Sequence, residues 1–247
     1  MLALIMALAG CSNGGGNAPS AAAQEAGFDE VVDAHARQMV TDGRQIFRFD
    51  TFGDEVFWGG TLQLHQTIAG VAGGGVGAGL SPSAALGLGL KVDVAALPPD
   101  LIAALTQGRL DLNDPANTLA LFRLNAVVGV TGFFDASDTL QSVGIQCALC
   151  HSTVDDSLTA GIGRRLDGWA NRDLNVGAII AFAPNLQFFV DLLGVPDQAT
   201  VRTVLNSWGP GKFDAQLILD GQAGRPLGTS AATLLPPAYG LAGVNLH

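Results

Sequence analysis

Apolar residues recur at roughly helical spacing over residues 27–49, at Phe28, Val31, Val32, Met39 and Val40, with His35 on the same stripe. That spacing predicts a first helix. The stretch GRQIFRFDTFGDEVFWGG (43–60) is dense in aromatics and turn residues, and a second helix is predicted from about Asp54 to Ala69. Residues 70–90 are Gly-rich and read as a loop with a short helix after Pro82. Pro98 and Pro99, with Asp100 in the first turn, open a helix that runs to Gly108. Asp114 as N-cap and Pro115 open another, through about Val128. Short helices are predicted near 142–151, over 185–193 closed by Gly194, and over 197–207 behind Pro196. The last forty residues read mostly as loop. There is no internal repeat and no βαβ rhythm, and strand signals are few and short. The predicted fold class is mainly α.

The charge pattern narrows the function classes. The chain of 247 residues has 12 basic and 22 acidic residues, a formal charge of −10. A nucleic-acid binder gains affinity by neutralising phosphates with Lys and Arg, so no nucleic acid is expected as a partner. The chain is 48% hydrophobic and only 14% charged, which supports a sizeable core. The longest apolar candidate, VGAIIAFAPNLQFFVDLLGV (176–195), is interrupted by Pro184, Asn185, Gln187 and Asp191 and reads as a buried loop and helix.

The N-terminus reads as an export signal. Residues 2–9 form a short apolar run, too short to cross a bilayer. Leu8, Ala9, Gly10 and Cys11 resemble a bacterial lipobox, in which the Cys becomes the lipidated N-terminus. No Lys or Arg precedes the run, which departs from the usual pattern. The polar stretch 12–24 suits a flexible tether, and Ser12 resembles the residue found in lipoproteins sorted to the outer membrane. The expectation is a periplasmic protein, lipid-anchored to the bacterial outer membrane through Cys11, with residues 1–26 as signal and tether.

Residues 144–153, GIQCALCHST, carry the chemistry. Cys147, Cys150 and His151 form C-x-x-C-H, which reads as a covalent c-type haem site. The two thiols would each form a thioether with the haem, and His151 would be the proximal iron ligand. With three Cys and four His in the chain, chance produces such a pattern on the order of once in two thousand sequences. A structural zinc site would need four ligands and usually a second Cys/His pair. A thioredoxin-like pair would need a βαβ context. One covalent haem c is the expected cofactor. Haem of this kind is attached outside the bacterial cytoplasm, in agreement with the export signal.

The second axial ligand stays open. The chain has Met1, Met6 and Met39 and no Met after Cys150, so the common downstream Met arrangement is missing. His65, on a largely apolar helix, and the terminal His247 are distal candidates. His35, flanked by Ala34 and Ala36, reads as a surface or structural residue. Arg164 and Arg165 follow the motif and are candidate partners of the haem propionates, because the guanidinium fork suits carboxylates. Trp169 and Arg172 are further candidates.

The segments GRQIFRFDTFGDEVFWGG, SVGIQCALCHSTVDD and GIGRRLDGWANRDLNVGA together resemble bacterial di-haem cytochromes, the group of di-haem cytochrome c peroxidases and rubber oxygenase. The resemblance covers about residues 43–247. It implies a cytochrome c-like haem domain at 136–247 behind a helical region at 27–135. It also implies a second C-x-x-C-H, which this chain lacks. In that group a segment like LLPPAYGLAGVNLH (234–247) packs over the distal haem face, with His247 at its end. The ending at His247 therefore implies a fragment with the first haem domain only. The functional expectation is electron transfer with redox partner proteins. The alternative is one half of a di-haem peroxidase or oxygenase with an open distal site.

Overall fold

The computed structural model describes residues 21–214 and 232–239. The chain divides into two units, residues 1–44 and 45–247. The first described element, α1, spans Ala21–Phe49. Its middle is held by local contacts at helical spacing, an Arg37–Asp33 ion pair and a hydrogen bond from Gln38 Nε2 to Asp42 Oδ1. Phe28, Val31, Val32, Met39 and Val40 are all exposed on it. Its last turn belongs to the second unit, where Phe47 packs on Val128, Ala148 and Val154.

The second unit continues with a π-helical turn at Val56–Thr61 and α2 at Leu64–Ala69. One continuous helix was expected over 54–69. Gln63 breaks it by adopting a left-handed conformation, φ 57°. Next come α3 (Pro82–Gly87), β1 (Val92–Asp93), α4 (Pro99–Thr106) and α5 (Pro115–Arg123). Ser81 and Asp114 cap α3 and α5 through their side chains, as turn chemistry predicts. α5 ends before the expected Val128 because Asn125 turns left-handed, φ 50°, and the following residues pair elsewhere. Asp93 N–H donates to Ala126 O, and Val128 N–H to Lys91 O.

β2 (Val130–Phe134) and β3 (Leu140–Ile145) form an antiparallel hairpin with an irregularity at Phe133/Phe134. Then follow α6 (Ala148–His151), β4 (Ser152–Val154), β5 (Ile162–Gly163), β6 (Arg165–Asp167), α7 (Val176–Ala181), α8 (Gln187–Leu193), α9 (Gln198–Asn206), β7 (Lys212–Phe213) and β8 (Thr233–Leu234). β1 pairs with β5 in parallel, and β4–β6 and β7–β8 pair antiparallel. Among the described residues there are nine α-helices, one π-helical and two 3-10 turns, and eight strands, the strands in four two-stranded sheets.

The mainly α expectation is therefore wrong: the protein is mixed α and β. The helix expected over 142–151 is the end of strand β3 and the single turn α6. The hairpin carries a local turn signal that sequence reasoning did not use. VTGFF and LQSVGI flank an Asp-Ala-Ser-Asp turn, and Asp135 Oδ1 accepts from the Ser137 and Thr139 N–H groups. The other strands are two or three residues long and exist only because the tertiary fold brings their partners alongside. The expected division between 135 and 136 falls within this hairpin's turn. No helix among the described residues is long and apolar enough to cross a membrane.

One core spans the unit, with Phe122, Leu174, Phe189 and Trp208 nearly or fully buried. It reaches the candidate site at Gly129, where φ is 79° and a Cβ would collide with the backbone of Leu149. Gly129→Ala is expected to destabilise the protein by more than about 2 kcal/mol in chemical denaturation. A change under about half a kcal/mol would mean that this close approach is relaxed in solution.

Candidate haem site

α6 is a single turn, started by Cys147 and preceded by β3. Its positions are set by the hairpin: Gln146 N–H donates to Gly129 O, and Gln146 Nε2 to Thr131 Oγ1. Cys147, Cys150 and His151 stand at i, i+3 and i+4, which puts them on one helix face. Ala148 and Leu149 take the buried face. Cys147 is exposed, Cys150 and His151 are half-buried, and both thiols are free. Burial, then the neighbouring Cys147, pushes the Cys150 thiol up from 9.0 to about 11.

The helix is too short to satisfy its own carbonyls, and residues 168–171 do it instead. Gly168 N–H donates to His151 O at 2.8 Å and Asn171 N–H to Cys150 O at 2.9 Å. Asn171 is itself pinned, its Nδ2 donating to Gly89 O. Gly168 O in turn accepts from Ala238 N–H at 2.7 Å, which ties residues 236–239 to the site.

His151 Nδ1 lies 2.9 Å from Pro236 O. A carbonyl only accepts, so Nδ1 carries a proton, and in the neutral ring the Nε2 lone pair is left free. That is the tautomer a metal-ligating histidine needs, with the second nitrogen oriented by a backbone carbonyl. From the segment that the resemblance places over a haem face, the described part brings the Pro236 carbonyl to the His151 ring; residues 240–247 lie outside the described residues. In the same neighbourhood, Trp169 and Tyr239 lie with ring centroids 5.5 Å apart and ring planes tilted by 55°, and both are more than half exposed. Exposed aromatics near a candidate ligand are side chains that can pack against a porphyrin edge.

Behind the motif lies a charged cluster. Ser152 Oγ donates to Asp167 Oδ1 at 2.9 Å, and Arg48 Nε and Nη2 reach Asp167 Oδ2 at 2.7 and 2.6 Å. Arg165 is buried, with Nε 3.1 Å from Asp167 Oδ1 in an ion pair lacking hydrogen-bond geometry. Its Nη2 is buried without a partner. Burial lowers the Arg165 pKa, opposed by Asp167 and Asp93.

Of the expected site residues, the structure brings Cys147, Cys150 and His151 together, with Arg165 on the strand that pairs with β4. Arg164 is not joined to them. It is exposed, and its backbone N–H donates to Asp155. His65 sits on α2 with a buried, unpartnered Nδ1, and burial lowers its pKa. Nothing among the described contacts connects it to His151. Cys11 and His247 lie outside the described residues. Sequence reasoning missed Arg48, Asp167, Pro236 and Tyr239. The only sequence signal for any of them was the Pro-Pro pair at 236–237.

These residues fit a covalently attached haem: two thiols and a correctly protonated imidazole share one face, with exposed aromatics beside them. The unpartnered guanidinium nitrogen of Arg165 is buried behind them. Among the described residues no group of three or more His, Cys, Asp or Glu gathers to hold a bare metal ion. A haem iron needs no such group, since the porphyrin supplies four of its ligands.

In the haem-free protein the Cys150 thiol holds its proton more tightly when folded. Its contribution to stability is fully present below pH 9 and is lost as pH rises to about 11. The unfolding free energy should fall over that window by on the order of 2 kcal/mol, and the fall should vanish once both sulfurs are in thioethers. Equal slopes in the two forms would refute it. Asp167→Asn leaves Arg165 buried without its counter-charge and is expected to cost about 2–4 kcal/mol in denaturant unfolding. A cost under about half a kcal/mol would show that water reaches the guanidinium. No family model matches the chain, and no curated protein or solved structure matches it.

Proposed function

We propose that the protein is a c-type cytochrome that carries one covalent haem and transfers single electrons to and from redox partner proteins. The observation that carries this reading is the His151 Nδ1 to Pro236 O hydrogen bond within an intact C-x-x-C-H turn. The motif supplies the attachment chemistry; the hydrogen bond sets the tautomer that can bind iron.

Each residue has a defined task. Cys147 and Cys150 add across two vinyl groups, sulfur to one carbon and hydrogen to the other, so attachment consumes no oxidant. Cys147 is open to solvent, whereas Cys150 stays a neutral thiol at ordinary pH. His151 offers Nε2 to the iron while Pro236 holds its ring. Arg165 Nη2 and Arg48 offer charge-assisted hydrogen bonds to propionates. When bound, the haem supplies an iron that takes up or gives back one electron.

The resemblance to the di-haem cytochrome group belongs to the same proposal. So does a periplasmic site with a lipid anchor at Cys11, since the haem must be attached outside the cytoplasm. Without Cys147 and Cys150 the haem is not held covalently.

The test is a haem stain on a denaturing gel after expression with the cytochrome c maturation system. The wild type is expected to stain; Cys147→Ala/Cys150→Ala, checked for folding by circular dichroism, is expected not to. A folded but unstained wild type overturns the proposal. The visible spectrum of the reduced protein is then recorded with CO. An unchanged low-spin spectrum is the result expected of an electron carrier. A clear shift would instead favour a peroxidase or oxygenase with an open distal site.

A further inference from the structure

Two apolar cavities adjoin in the core of the second unit. The first, of about 20 Å³, is lined by Leu86, Thr118, Leu121 and Ile162 among others. The second, of about 30 Å³, is lined by Leu64, Val130, Val143 and Leu149 among others and has no polar surface. Leu90 and Phe122 line both. Lys91 lines the first as well, but its Nζ is engaged by Asp173 at 2.5 Å. The one free polar group is the Thr118 hydroxyl, buried and without a partner.

A buried water needs two to four hydrogen bonds. The second cavity offers none, and the first offers a single hydroxyl. Apolar cavities of this kind stay dry and take up non-polar guests such as xenon. The cavities each have space for about one to two water-sized spheres. They suit a diatomic molecule or a noble-gas atom.

We propose that the paired cavities are a binding site for a small non-polar gas molecule of the dioxygen class, with Leu90 and Phe122 forming the wall that the two share. Leu149, the buried residue of the C-x-x-C-H turn, forms part of the wall. An occupant therefore presses on α6 from the side opposite Cys147, Cys150 and His151. The site is built from core residues alone and does not depend on the haem reading.

The probe is xenon, followed by methyl NMR on the protein as purified. Saturable shifts are expected at Leu149, Val130 and Leu86, and none at exposed Val71. Val143→Ile adds a methyl to the second cavity and is expected to weaken binding there at least tenfold while leaving the Leu86 shift intact; Val130→Ile serves if that variant does not fold. Dioxygen under pressure should broaden the same methyl signals through its paramagnetism. Absent or non-saturable shifts, or shifts unaltered by a folded filling variant, would overturn the proposal. Thr118→Val provides an independent check of dryness. Removing an unpartnered hydroxyl should raise the melting temperature, whereas a lower one would reveal a bound water and also overturn the proposal.

Discussion

A helix of four residues makes almost none of its own hydrogen bonds, so α6 stands only if other parts of the chain take up its carbonyls. Gly168 and Asn171 do this for His151 and Cys150. Asn171 is anchored to Gly89, and Gly168 to Ala238. The Pro236 carbonyl then reaches the imidazole from the same neighbourhood. The tautomer of the candidate ligand thus depends on a chain of backbone contacts joining segments more than eighty residues apart. The same contacts hold the two sulfurs and the ring on one face.

The charged cluster behind the motif obeys a harsher constraint. A guanidinium as buried as that of Arg165 stays charged only with a carboxylate beside it. Asp167 serves both Arg165 and Arg48 while also accepting from Ser152, the residue after His151. Asp93 adds a second negative charge within electrostatic reach of Arg165. The remaining donor, Nη2, is buried and has no hydrogen-bond partner among the described residues. Arg164 shows how narrow the selection is. Successive side chains of extended chain point to opposite sides, so two adjacent arginines receive opposite environments.

Much of the fold was legible wherever a local rule decided it. Ser81, Asp114 and Asp197 cap their helices, and Gly194 ends α8 in the left-handed conformation, as their side-chain chemistry requires. The failures share a cause. Gln63 takes a positive φ value that its residue type does not announce, and Asn125 takes one that its type permits but does not require. The single-turn α6 was absorbed into a longer predicted helix because apolar spacing cannot separate a strand end from a short helix. The paired strands of two and three residues have no sequence signal, because their stability lies in the partner.

The candidate chemistry was a property of sequence, since C-x-x-C-H names its own atoms and its i, i+3, i+4 spacing places them on one helical face. What the sequence by itself determined was therefore the reactive triad and the caps, which rest on covalent adjacency and on hydrogen bonds spanning two or three residues. Only the tertiary structure decided the imidazole tautomer, the choice of Arg165 over Arg164, the recruitment of Arg48 and the placing of Trp169 against Tyr239. Each of these depends on which distant group fills a particular few ångströms of space. No local rule carries that information, because it arises only when the core has packed.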